Sequence, residues 1–141
     1  MKRKASAVWR GDLKAGKGVI STESGTLKEA QYSFSTRFES GVGTNPEELI
    51  AAAHAGCFSM AFSAELGKAG ITPESIATTA TITMEKTEAG FTVTQSHLDV
   101  TAKVPGQDQN KVLEIANAAK AGCPISRLLK ANITLDAKLE S

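Results

Sequence analysis

The side chains with the greatest chemical reach in this sequence are its two cysteines, Cys57 and Cys123. Cys57 lies in an apolar, alanine-rich run that begins at Leu49 and reads Leu-Ile-Ala-Ala-Ala-His-Ala-Gly-Cys-Phe-Ser-Met-Ala-Phe. Cys123 stands in Gly122-Cys123-Pro124-Ile125, where a helix is expected to begin. Such thiols admit three readings: inert core residues, a structural disulfide, or a redox-active pair. Cysteine is among the most often buried residue types, so a small buried hydrophobe is the plain reading of Cys57. Against it, Ala53, His54, Gly56 and Ala61 leave room for something to approach the thiol. A mid-helix cysteine gains little from the helix dipole, so its thiolate needs a cationic partner from elsewhere. Cys123 at a helix start has free backbone N–H groups and the positive dipole end beside it. Local electrostatics alone make Cys123 the more acidic thiol.

Other candidates surround these two. Gln31 to Phe38 alternates Tyr32, Phe34 and Thr36 against Ser33, Ser35 and Arg37, which predicts a half-buried strand. On it, Arg37 is either a solvated surface charge or a guanidinium turned into a pocket, where it would stabilise a thiolate. Glu48 has a structural explanation as the third residue of a capping box. Glu47 has only the general preference for acids in a first helical turn. At about 100° per residue, Glu47 and Cys57 lie about 80° apart in projection and almost three turns apart, so an arginine would have to bridge them. His54 precedes Cys57 by three and reads as a hydrogen-bonded residue at a core edge or interface, more readily than as a Cys–His nucleophile pair. His97 reads as a strand surface residue. With two cysteines and two histidines, and no Cys-x-x-Cys or His-x-x-x-His, nothing in the sequence supports a metal site or a cofactor.

The elements that must position these groups follow from turn and cap signals. Strands are expected at Ala5–Arg10, Gly18–Thr22 and Gln31–Phe38, an antiparallel meander. Asn45-Pro46-Glu47-Glu48 starts a helix, with Asn45 as N-cap and Pro46 in the first position. It runs to Leu66 with few charges and no clear polar face, the signature of a helix buried on most sides. Strands at Ser75–Lys86 and Phe91–Val104 turn at Glu88-Ala89-Gly90. A helix follows over Asp108–Ala121, a short one from Cys123-Pro124 to about Lys130, and a last strand over Ile133–Leu139. This order is α+β in a single domain, residues 1–141.

Sixteen basic and fifteen acidic residues give a net charge of +1, which speaks against a nucleic-acid partner. Met1-Lys2-Arg3-Lys4 is followed by no apolar run, so it is not read as a secretory signal. The run from Leu49 to Leu66 is read as too polar to span a bilayer, because of His54, Ser59, Ser63 and Glu65. The expected compartment is the cytoplasm, where a working disulfide is more often transient and catalytic than structural.

Gly43-Thr44-Asn45-Pro46-Glu47-Glu48-Leu49, Ala52-Ala53-His54-Ala55-Gly56-Cys57-Phe58-Ser59-Met60 and Ala121-Gly122-Cys123-Pro124-Ile125-Ser126 resemble the OsmC/Ohr family of thiol peroxidases. Trp9-Arg10-Gly11-Asp12, Gly16-Lys17-Gly18, Ser21-Thr22-Glu23-Ser24-Gly25 and Thr36-Arg37-Phe38-Glu39 point to its OsmC branch. The resemblance covers essentially the whole chain. It implies an intertwined homodimer, with antiparallel sheets from both chains wrapped around two central helices. It implies that Cys57 is the peroxidatic thiolate and Cys123 the resolving thiol, and that Arg37 and Glu47 shape the pocket. The implied activity is reduction of organic hydroperoxides, and less efficiently hydrogen peroxide, through a Cys57 sulfenic acid and a Cys57–Cys123 disulfide. An external dithiol, such as a lipoylated protein, would reduce that disulfide. The alternative is a dimeric stress or ligand-binding protein with non-catalytic cysteines.

Overall fold

The computed structural model describes residues 1–140, in the order β1 (Ala5–Arg10), β2 (Lys17–Thr22), β3 (Ala30–Tyr32), α1 (Phe34–Phe38), α2 (Pro46–Lys68), β4 (Ser75–Thr87), β5 (Gly90–Lys103), α3 (Gln109–Gly122), α4 (Pro124–Leu128) and β6 (Asn132–Glu140). The α+β class agrees with the sequence expectation. The chain groups into two compact units, Met1–Leu49 and the residues from Ile50 onward.

The first unit is the expected antiparallel meander, β1-β2-β3. Gly18 lies between the rings of Trp9 and Tyr32, whose centroids are 5.5 Å apart, and a Cβ there would collide with both. The strand predicted over Gln31–Phe38 is a correction. Only β3 is extended, and Phe34–Phe38 is a short helix. A capping box drives the change: Thr36 N–H donates to Ser33 Oγ, and Ser33 N–H donates to Thr36 Oγ1. The period-2 alternation of Phe34 and Phe38 also fits an i,i+4 pair, and their rings meet at a tilt with centroids 4.9 Å apart. Arg37 is therefore a helical residue.

The second unit is a mixed sheet in the order β4-β5-β6. β4 and β5 pair antiparallel as a hairpin, with Gly90 at φ +105° in the turn. β6 joins β5 in parallel, which requires the helical crossover supplied by α3 and α4. Period 2 puts Ser96, Leu98, Val100 and Ala102 of β5 on the buried face. Leu98, Val100 and Ala102 share one core with Phe58, Phe62 and Leu66 of α2 and with Val112, Ala116 and Ala119 of α3.

α2 corrects the expectation of a helix buried on most sides. Within one chain only the i,i+4 stripe His54, Phe58, Phe62, Leu66 is buried. Ala52, Ala53, Gly56, Ser63 and Ala64 are exposed, and Met60 is 77% exposed. The membrane expectation also changes. By length and composition α2 is apolar enough to cross a bilayer, because alanine and phenylalanine outweigh its few polar groups. Its Phe58–Leu66 stripe is committed to the core of the second unit.

Candidate active site

The structure arranges the four sequence-assigned residues as two pairs, each within its own unit. In the first unit, Arg37 Nε donates to Glu47 Oε1 at 2.8 Å and Oε2 at 3.2 Å, with Nη2 2.7 Å from Oε1. This is a forked, bidentate contact, which fixes orientation as well as charge. Two local devices place it. Asn45 caps α2 by accepting from Glu48 N–H at 2.8 Å, and its Nδ2 donates to the Thr36 carbonyl of α1 at 3.1 Å. The first turn of α2, with Glu47, is thus tied to the helix that carries Arg37. The expected second half of the α2 capping box is absent: Glu48 instead accepts from the Thr44 hydroxyl at 2.7 Å. The Arg37 guanidinium also lies 5.4 Å from the Phe38 ring centroid. It borders a cavity of about 280 Å³ lined by Trp9, Leu13, Tyr32, Phe34 and Phe38.

In the second unit, Cys57 and Cys123 are free thiols whose sulfurs lie 2.8 Å apart. Cys123 is completely buried and Cys57 half-buried beside the core cluster. Three forces act on the Cys57 thiol. Burial pushes its pKa up, Cys123 pushes in the same direction, and the backbone N–H of Ile125 pulls it down. That last contact revises the sequence view of Cys123. Cys123 is the N-cap of α4 but makes no capping hydrogen bond with its side chain. An N–H of the α4 first turn is directed at Cys57 instead.

His54 is fully buried. Its Nδ1 lies 2.6 Å from Ser96 Oγ and its Nε2 2.7 Å from Ser126 Oγ. The core-edge expectation thus becomes a core histidine bonded at both nitrogens. The sequence gives neither Ser96 nor Ser126 a role of its own; Ser126 only closes the Ala121–Ser126 motif, three residues past Cys123. Ser59 Oγ, two residues past Cys57, meets Thr78 Oγ1 at 2.7 Å and ties α2 to β4. His97 is more than a surface residue. It is half-buried, bonded to Thr134 through Nδ1, with Nε2 3.3 Å from both Asp99 and Asp136.

A family model described as OsmC-like protein matches residues 39–138. Peroxiredoxin OsmC of Escherichia coli (strain K12) is 55% identical over 139 residues, covering 99% of this chain and 97% of that protein. Organic hydroperoxide resistance protein OhrB of Bacillus subtilis (strain 168) is 29% identical over 124 residues, covering 87% and 88%. The crystal structure of OhrB superposes with a TM-score of 0.69 at 25% identity, covering 97% of this chain and 98% of that one. Motifs, fold and relatives agree that this chain belongs to the OsmC family.

Proposed function

We propose that the protein is a cysteine-based peroxidase that reduces organic hydroperoxides, and less efficiently hydrogen peroxide, at the expense of an external dithiol. The observation that carries this reading is the Cys57–Cys123 pair: two reduced sulfurs, 2.8 Å apart, in a largely buried setting. A sulfur–sulfur bond of about 2.05 Å needs little further approach. An OsmC relative called a peroxiredoxin, at 55% identity over nearly the full length, supports it.

The chemistry proceeds in two steps. The Cys57 thiolate attacks the distal oxygen of the hydroperoxide. An S–O bond forms, the O–O bond breaks, and the alkoxide leaves and takes up a proton as the alcohol. Cys57 is then a sulfenic acid. Cys123 attacks its sulfur, the S–O bond breaks, and water departs with the Cys123 proton. A dithiol, free or carried on a lipoylated protein, returns the disulfide to two thiols. The family resemblance gives Cys57 the attacking role; the Ile125 N–H, which works against the larger effect of burial on its thiol, and the deeper burial of Cys123 are in keeping with that order.

Arg37 is assigned to stabilise the Cys57 thiolate and polarise the peroxide, with Glu47 holding its guanidinium in place. The small apolar residues near Cys57, Ala53, Gly56 and Ala61, suit an organic hydroperoxide better than a strongly polar substrate. The exposed Ala52, Ala53, Gly56, Met60 and Ala64 face of α2 suits close packing against a second copy, in an intertwined homodimer with two sites. We place the activity in the cytoplasm, where thiols are kept reduced.

The test is dithiol-dependent consumption of cumene hydroperoxide by wild type and Cys57→Ser. The wild type consumes the peroxide and the variant does not. Full activity in the variant would instead leave the reading of a stress or ligand-binding protein with idle cysteines.

A further inference from the structure

The peroxidase chemistry leaves one buried polar group without a task. His54 has no solvent exposure, and both of its ring nitrogens meet serine hydroxyls, of Ser96 on β5 and Ser126 on α4. Both serines are buried as well. A neutral imidazole has one donor and one acceptor, and a hydroxyl can be either, so this triad is satisfied without any charge. Burial lowers the histidine pKa, in keeping with a neutral ring.

The spacing shows what the triad holds. His54 precedes Cys57 by three residues on α2, and Ser126 follows Cys123 by three in the first turn of α4. Residues three apart share a helix face. Two contacts therefore run side by side between α2 and α4: Cys57 to Cys123 at 2.8 Å, and His54 to Ser126 at 2.7 Å. α4 has five residues, too few to define its own position without tertiary contacts. The Ser96 hydroxyl holds the imidazole from the sheet side, so the ring cannot follow α4 if α4 drifts.

We propose that His54 is a positioning residue for disulfide formation: with Ser126 it makes a second, non-reacting rung between α2 and α4. That rung keeps the Cys123 sulfur aimed at the Cys57 sulfenic acid. The inference rests on the peroxidase reading. It concerns only the second step, in which the S–S bond forms as the S–O bond breaks and water leaves. The rival fate of the sulfenic acid is a second peroxide oxidation to sulfinic acid, which a misplaced Cys123 would favour. The rung thereby sets the balance between turnover and irreversible oxidation.

Rapid quenching with alkylation and mass spectrometry separates the two steps. Sulfenic acid formation scales with peroxide concentration, whereas disulfide formation does not. In Ser126→Ala, the first step should stay within about two-fold of wild type, since the Cys57 thiolate stays fixed on α2 and the Ile125 N–H carried on α4 is a lesser influence on it than burial. Disulfide formation should slow by about ten-fold, the effect of a modest misplacement, and the sulfinic acid share at high peroxide should rise. Ser126→Thr, which keeps the hydroxyl, should restore most of the rate. An unchanged disulfide rate in Ser126→Ala overturns the proposal, and so does equal slowing of both steps. A wild type that forms no sulfenic acid on Cys57 refutes the peroxidase reading instead. If Ser126→Ala does not fold, the wild type still decides. The 15N shifts of the His54 ring should report the same single neutral tautomer in the reduced and disulfide forms. A change of tautomer or charge between them overturns the rung.

Discussion

The thiol pair of the second unit and the ion pair of the first are built on opposite physical terms. Cys57 and Cys123 sit in or beside an apolar core, where desolvation opposes the thiolate that the chemistry needs. Arg37 and Glu47 are partly solvated, with side chains 40% and 15% exposed, and their forked contact is charged from the outset. An exposed ion pair contributes at most about 1 kcal/mol to stability. Its value is therefore orientation, while the core around the sulfurs supplies rigidity. The thiol is held where it is hard to ionise, and the guanidinium where its charge is easy to keep.

The largest expected break of this contrast is Cys57→Ser, which should reduce peroxide consumption to the uncatalysed rate in a coupled dithiol assay. Cys123→Ser should separate the steps: one equivalent of peroxide is still consumed, but no disulfide forms and steady turnover collapses. Removing Cys123 also removes a contact that pushes the Cys57 pKa up, so alkylation of Cys57 should begin at lower pH than in wild type. Arg37→Ala should lower kcat/KM for cumene hydroperoxide by about 10²-fold, the usual cost of one preorganised electrostatic partner. If Arg37 has the proposed role, the midpoint of Cys57 alkylation should also move to higher pH. An unmoved midpoint would detach Arg37 from the thiol. Asn45→Ala, which uncaps α2 and frees its first turn from α1, should cost about 1 kcal/mol in a urea titration. Its effect on kcat/KM should resemble a mild form of Arg37→Ala.

The buried histidine gives the second region its own pH signature. In the unfolded chain His54 takes up a proton near the ordinary value of 6.5, while in the native protein its pKa lies lower. The native state therefore has its full His54 contribution above 6.5 and loses it as pH falls through the lowered value. Thermal denaturation from pH 7.5 downward should show this decline, and His54→Gln should flatten it.

Much of this was legible in the sequence, for local reasons. The α2 start at Asn45-Pro46 and the α3 start at Asp108 are fixed by caps, and both lie where the side chains predict. The β4–β5 hairpin follows from alternation and Gly90. The short helix carrying Arg37 was not legible, because Ser33-x-x-Thr36 is a weaker cap signal than Ser-x-x-Glu and the aromatic spacing fits both periods. The direction of the Ile125 N–H was hidden for another reason. Gly-Cys-Pro marks a helix start, but which sulfur that start faces depends on a contact between distant segments. The shared partner of Ser96 and Ser126 was invisible in the same way, since a serine acquires its partner only when the chain is folded.

In the proposed chemistry Cys57 attacks and Cys123 resolves. The most direct test of this order treats Cys57→Ser and Cys123→Ser with one equivalent of cumene hydroperoxide and a sulfenic acid trap, followed by peptide mapping. The predicted result is a trapped adduct on Cys57 in Cys123→Ser and none on Cys123 in Cys57→Ser. An adduct on Cys123 alone, formed at the wild-type rate, would contradict it.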